Sequence, residues 1–322
     1  MIPAPRQASL SEMPVLDLSG WLAGGSSAQL VKDLRAACTG TGFLYVAGHG
    51  VPEAAVEGVF DATRRYFAEP EALRLEDKID DRFRRGFMPY GINQHPGYEP
   101  DLKESYEFAL DLPLDDPEVL ARRPLHGPNR WPAWAPWLEQ ACMRYLGHTT
   151  LLGKNLLRLF ALALEQDESF FMQWCNKPMV QSRLFHYPPQ TVSTERVLGV
   201  APHTDYGMLT ILAQDPIGGL ELRKRDGEWV SAPYIEHTFV VNLGDMFKVW
   251  TNDLFVSNFH RVVNRTGKER YSIPTFFNLD YDTPVACLPG CQSDDNPPRY
   301  EPIKAGDYLV RRFGEVQKYK VV

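Results

Sequence analysis

A chain of 322 residues with 44% hydrophobic and 23% charged side chains has the composition of a globular protein with a sizeable core, in one large domain or two modest ones. Its formal charge of −7 argues against a general nucleic-acid or membrane-surface binder. No stretch approaches membrane-spanning length or joins a basic flank to a long apolar run, so the expected location is the cytoplasm.

The first dozen residues (MIPAPRQASLSE) read as a loose leader, followed by a short strand over 14–18. Leu30, Val31, Leu34 and Ala37 recur at helical spacing and predict a helix near 27–40, with Gly40 as its stop. A β-rich run, GFLYVAGHGV, comes next, and then a second helix over 53–68. Residues 79–112 are rich in Arg, Gly, Pro and aromatics without a clean period, and read as long loops with short strands. The segment 124–137 is turn-forming and aromatic. A long amphipathic helix is expected over 138–166, marked by Leu146, Leu152, Leu156, Leu159, Phe160 and Ala163.

After about residue 180 short β-prone runs alternate with turns: SRLFHYPP, MLTILAQD, LELRKRDGEWV, TFVVNLGD, IPTFFNLD and GDYLVRRF. The breaks at 215–219 and 225–228 read as hairpin turns. Many short strands with frequent turns indicate a mainly β fold, a sandwich or barrel flanked by N-terminal helices. Residues 1–322 are expected to form one compact unit, with a helical and irregular region over 12–125 and a catalytic β region over 178–285.

Five scattered cysteines, Cys38, Cys142, Cys175, Cys287 and Cys291, read as free thiols rather than a disulfide framework or a zinc knuckle. The chemistry concentrates instead on His203 and Asp205, two residues apart in APHTDYGMLTIL, and on His260 in SNFHRVVN. Two imidazoles and a carboxylate with open coordination positions suit non-haem Fe(II). The same set with an open position also serves hydrolytic zinc, although no H-E-x-x-H motif supplies the general base such a site would want. An H-x-D with a distant His also arises by chance among eight histidines. His49 reads as a packing or turn-capping residue, and His186 as structural or pocket wall. His95, His126, His148 and His237 read as surface or loop residues.

Arg270 and Ser272 in ERYSIPTFF share one face if that run is a strand, and a guanidinium beside a hydroxyl is a carboxylate receptor. The pair favours an anionic cosubstrate at the metal. For the primary substrate the wall candidates are Arg85, Tyr90 and Lys103 from the irregular middle, and Phe185, Phe277 and Leu279 around the barrel. Arg85 or Lys103 could meet an acidic or amino-acid-like substrate.

These residues occur in a recognisable order. PVLDLSGWL, GFLYVAGHGVP, RRGFMPYG, DLKESYEF, RLFHYPPQ, HTDYGMLTIL, GGLEL, VVNLGDMFKVWTND, FHRVVN and RYSIPTFFN together resemble the isopenicillin N synthase-like branch of the Fe(II)/2-oxoglutarate-dependent oxygenases over nearly the whole length. The resemblance implies a double-stranded β-helix (jelly roll) core. It implies that His203, Asp205 and His260 ligate Fe(II), and that Arg270 and Ser272 hold the distal carboxylate of 2-oxoglutarate. Tyr187 would hydrogen-bond near that cosubstrate. This chain has Phe185 and His186 where the family motif around that tyrosine has Asn and Tyr.

The implied activity is O2-dependent oxidation of an unactivated C–H of a small molecule, by hydroxylation, desaturation or ring closure, with release of succinate and CO2. Oxidases of the isopenicillin N synthase or aminocyclopropane-carboxylate oxidase type, and ethylene- and succinate-forming enzymes, use related sites. A non-catalytic jelly-roll module would require a broken triad or clamp, and none is broken here. The expected partner is a small-molecule substrate, with no nucleic acid and no membrane, acting on a monomer or weak homo-oligomer.

Overall fold

The computed structural model describes residues 2–80, 82–190 and 193–316. Two sheets face each other. The larger has eight strands in the order Val15–Asp17, Phe43–Ala47, Phe239–Leu243, Leu209–Gln214, Arg270–Phe277, Gln181–Tyr187, Glu104–Ala109 and Gly86–Met88. The smaller has four, in the order Val200–His203, His260–Val262, Leu220–Arg223 and Trp229–Ser231. Pairing within these sheets is antiparallel except between Val15–Asp17 and Phe43–Ala47. This is the β sandwich that the strand pattern predicted, in the jelly-roll form that the family resemblance implies.

The central strands of the large sheet are apolar for most of their length because both of their faces are covered. Side chains alternate between the faces. Leu44, Val46, Ile211, Val241 and Ile273 join a core shared with the helices, whereas Phe43, Tyr45, Leu212 and Val240 pack against Leu220, Leu222 and Val230 of the small sheet. The helix layer is dominated by Pro136–Ala163, which starts with proline in its first turn and buries Leu138, Cys142, Tyr145, Thr149, Leu152 and Leu156 at three- and four-residue intervals. Gly153 faces the sheet at its closest approach. A Cβ there would sit 2.3 Å from the Phe277 ring.

Helices at Ala28–Gly40 and Glu53–Ala68 fall where the spacing places them. Three expectations fail. The leader is pinned, not loose: the Ala8 amide donates to the Ser231 carbonyl (2.8 Å), so the chain start lies along an edge of the small sheet. The break at 215–219 is no hairpin, since the strand before it belongs to the large sheet and the strand after it to the small one. Its glycines, Gly218 and Gly219, take φ of +71° and +90° to carry the chain across. The turn at 225–228, by contrast, does close a hairpin between Leu220–Arg223 and Trp229–Ser231. Finally, GDYLVRRF lies in a helix, Ala305–Val316, not a strand. Its Leu309 and Phe313, four apart, share one face, a helical period that a run of eight residues leaves ambiguous with a strand.

Candidate active site

His203 ends one strand of the small sheet and His260 begins its neighbour, and the two are direct cross-strand partners. Their ring centroids lie 4.2 Å apart. Asp205 follows two residues after His203, in the turn leading to Leu209–Gln214. That turn is held by the Asp245 amide donating to the Asp205 carbonyl (2.8 Å). Gly244 permits the close approach, because a Cβ there would meet the Gly207 carbonyl oxygen at 2.2 Å. Each imidazole Nε2 stands 3.7 Å from Asp205 Oδ1, and one ligand atom from each of the three residues falls within 4.8 Å of the others. Among the described residues, no other cluster of His, Cys, Asp or Glu has this geometry.

The remaining polar atoms of the triad are already engaged. His203 Nδ1 donates to the Ala201 carbonyl (2.8 Å) and His260 Nδ1 to the Asn258 carbonyl (3.3 Å), which leaves both Nε2 lone pairs free. Asp205 Oδ2 accepts from Thr210 Oγ1 (2.6 Å) and Asn242 Nδ2 (2.7 Å), which leaves Oδ1 free. Burial, and then the neighbouring His260, hold His203 well below the ordinary imidazole range, so it is neutral and able to ligate. Burial pushes the Asp205 carboxyl up, but the two imidazoles and the two hydrogen bonds outweigh it and hold the group below its ordinary value. The three free atoms could hold one metal ion with positions left open.

Arg270 and Ser272 sit on the same face of the strand Arg270–Phe277, as their spacing predicts. Arg270 is wholly buried. Its Nε donates to the Gly218 carbonyl, its Nη1 donates to Ser272 Oγ (3.0 Å), and its guanidinium lies over the Tyr187 ring, 4.6 Å from the centroid. Among the described residues it has no carboxylate ion-pair partner. A buried cation with no carboxylate in ion-pair contact is costly unless an anion joins it. Triad and clamp line one cavity of about 680 Å³ between the two sheets.

Comparison with known proteins agrees with this geometry. Residues 175–279 match the 2OG-Fe(II) oxygenase superfamily, and residues 13–134 match the N-terminal region of non-haem dioxygenases in morphine synthesis. The chain is 35% identical to the 2-oxoglutarate-Fe(II) type oxidoreductase hxnY of Emericella nidulans, covering 95% of this chain and 92% of the relative. It is 34% identical to the kihadalactone A synthase LFS of Citrus sinensis, covering 95% and 94%. Among solved structures, a 2OG-Fe(II) oxygenase family protein from Caulobacter crescentus superposes with a TM-score of 0.86 at 27% identity, covering 95% of this chain and all of that one. A full-length Neurospora crassa protein in complex with alpha-KG gives 0.83 at 28%, covering 94% and 96%.

The chain belongs to the 2OG-Fe(II) oxygenase superfamily. It is a 2-oxoglutarate-dependent Fe(II) dioxygenase, with O2 as the other cosubstrate.

The wall of the oxygenase cavity departs in part from the sequence reading. Arg85, Lys103 and Phe185 line it, as expected. Tyr90 is 44% exposed and does not line it, while Phe277 and Leu279 are buried in the helix-facing core. Phe276 lines it instead, one residue out of the expected register. The alternation that sets Arg270 and Ser272 on one face of RYSIPTFF also sets Phe276 on it and Phe277 on the other, so the signal was present in the sequence. Arg85 is buried, and burial lowers its guanidinium to about 10. Lys103 pairs with buried Asp101.

His95 and His126, read as surface or loop residues, both line the cavity, and the His95 ring lies 5.4 Å from that of His203. Neither has a sequence neighbour that would have betrayed it. His49 caps its turn by accepting from the Val51 amide (3.1 Å), and His237 is exposed. His186 is structural: it bonds Glu104 (2.7 Å) and stacks on Tyr271. Thr210 and Asn242, which orient Asp205, also escape a reading of the sequence, although an Asn inside the apolar run FVVNL is itself a signal of a buried polar duty. No helix among the described residues is long and apolar enough to cross a membrane.

Proposed function

We propose that His203, Asp205 and His260 hold the Fe(II) and that Arg270 and Ser272, with Tyr187 beside them, hold 2-oxoglutarate. The observation that carries this reading is the wholly buried Arg270, without a carboxylate partner among the described residues, in the same cavity as three convergent free ligand atoms. When bound, the metal and 2-oxoglutarate supply an O2-driven oxidative decarboxylation, giving succinate and CO2, that is coupled to oxidation of a substrate C–H. The protein's own contribution is positional. Ala201 and Asn258 fix the imidazole tautomers, Thr210 and Asn242 aim one carboxylate oxygen, and Arg270 and Ser272 set the distance of the cosubstrate from the metal. Val200, Val262, Leu212 and Leu220 wall the clamp with apolar surface and keep water from it.

The substrate is a small molecule, a reading supported by the Neurospora crassa structure that holds thymine together with alpha-KG. The enzyme acts in the cytoplasm as a monomer or weak homo-oligomer, with the region 12–125 bracing the catalytic region 178–285 in one unit. Bound iron and succinate formation, measured for the wild type and for His203→Ala, test the assignment. Wild type is expected to retain stoichiometric iron and release succinate, and the variant to do neither while keeping its circular dichroism spectrum. An active, iron-replete variant would overturn the ligand set.

A further inference from the structure

Resting on the reading that Arg270 and Ser272 receive 2-oxoglutarate, the geometry points to a primary substrate that carries a carboxylate on an apolar body, with Arg183 as its receptor. Arg183 lies on the strand Gln181–Tyr187, on the cavity face that also carries Phe185 and Tyr187. The register sets Tyr187 opposite Arg270 and Arg183 opposite Glu107. Four residues of strand, about 13 Å, therefore separate Arg183 from the clamp. It faces the part of the cavity beyond the cosubstrate pocket.

Its donors are unfilled. The one carboxylate paired with it, on Glu107, stands 3.3 Å from Nε, but out of alignment: Arg183 Nε and Glu107 Oε1 are both buried without a hydrogen-bond partner. Glu107 Oε2 is taken by Gln181 Nε2 (2.6 Å). Among the described residues nothing accepts from the terminal nitrogens of Arg183. Its guanidinium lies 5.1 Å from the centroid of the Phe276 ring, which fixes its plane.

Arg85, which is buried, adds a second cation to the same wall. It donates to the carbonyls of Phe83 (2.5 Å), Arg84 (3.3 Å) and Leu125 (3.1 Å), and Asp80, Asp111 and Glu107 act on it only from a distance. Lys103, by contrast, is matched by Asp101. A planar carboxylate offered to the two terminal nitrogens of Arg183 would satisfy them in the bidentate geometry that guanidinium favours. Met179, Phe276, Leu309 and Phe313 make the surrounding wall apolar, which selects an aliphatic or aromatic acid over a sugar or a polyamine.

The test compares matched acids and primary amides (benzoate and benzamide, 3-phenylpropanoate and 3-phenylpropanamide, octanoate and octanamide) binding to the anaerobic enzyme loaded with Fe(II) and 2-oxoglutarate. Binding is read by calorimetry and by perturbation of the metal-to-cosubstrate absorption band. At least one acid is expected to bind on the order of tenfold or more tighter than its amide. Arg183→Met should erase that preference and Arg183→Lys restore part of it, with 2-oxoglutarate affinity unchanged in both. The acid–amide comparison in wild type stands even if a variant fails to fold. Amides binding as well as acids, a preference that survives Arg183→Met, or no acid binding at millimolar concentration would each overturn the inference. Failure of the band to form with 2-oxoglutarate alone would instead overturn the clamp assignment on which it rests.

Discussion

The two ends of the one cavity are built differently. At the metal and clamp end every functional side chain comes from a strand or from the turn just after one, and hydrogen bonds at His203 Nδ1, His260 Nδ1, Asp205 Oδ2 and Arg270 Nε and Nη1 already hold the groups in place. At the far end the wall is assembled from the segment 109–126, the strand that carries Arg183 and the helix Ala305–Val316. Arg85 Nε, Arg183 Nε and Glu107 Oε1 are buried there without hydrogen bonds. A preorganised end suits a reaction that is always the same, because its groups need not move. An end with unfilled donors suits a ligand that has yet to arrive. The shared chemistry is thus written into the sheets, and the individual substrate into the loops and the last helix.

Substitutions can break this contrast. The largest effect is expected at the ligands. His203→Ala or Asp205→Ala should lower iron affinity by more than about 100-fold, beyond the range for residues that only support a ligand, and should abolish succinate release. Next comes the phenylalanine pair. Phe277→Ala should cost about 3–5 kcal/mol of stability in denaturant unfolding, since that ring fills the contact with Gly153. Phe276→Ala should spare stability by comparison and alter substrate KM. A reversed outcome would place the strand in the wrong register.

Arg270→Ala should raise the KM for 2-oxoglutarate on the order of 100-fold, as for loss of charged hydrogen bonds in a buried site, with iron still bound. Thr210→Val, which keeps the shape and removes only the hydroxyl that bonds Asp205, should weaken iron binding roughly tenfold, at the low end for a supporting group. The smallest effect is expected at Arg312, whose ion pair to Asp245 (2.9 Å) tethers the helix that carries Leu309 and Phe313. Arg312→Ala should cost less than about 1 kcal/mol of stability. A larger loss would mean that this helix is integral to the fold and not only a wall of the far end.

The same contrast explains what the sequence disclosed. His203 with Asp205, and Arg270 with Ser272, are each two residues apart, so local geometry alone brings them to one site, and His260 joins them by pairing across one strand. The long helix and the earlier helices announced themselves by period. Phe276 was legible as well, since it shares the parity of Arg270 and Ser272 on their strand whereas Phe277 has the opposite one. His95 and His126 were hidden because irregular segments bring them to the cavity without any spacing rule. GDYLVRRF misled because eight residues with apolar positions at Tyr308, Leu309, Val310 and Phe313 fit either period. Arg183 carries a trace of its duty in the sequence: a charged residue in SRLFHYPP, a strand otherwise buried along most of its length, asks for a buried partner.

The most direct test of the central claim is an anaerobic titration of the Fe(II)-loaded protein with 2-oxoglutarate, followed by the visible charge-transfer band that bidentate keto acid chelation produces. A saturable band in wild type, absent in His203→Ala and shifted to much higher 2-oxoglutarate concentration in Arg270→Ala, is the predicted result. A full band in His203→Ala, or unchanged saturation in Arg270→Ala, would contradict the account.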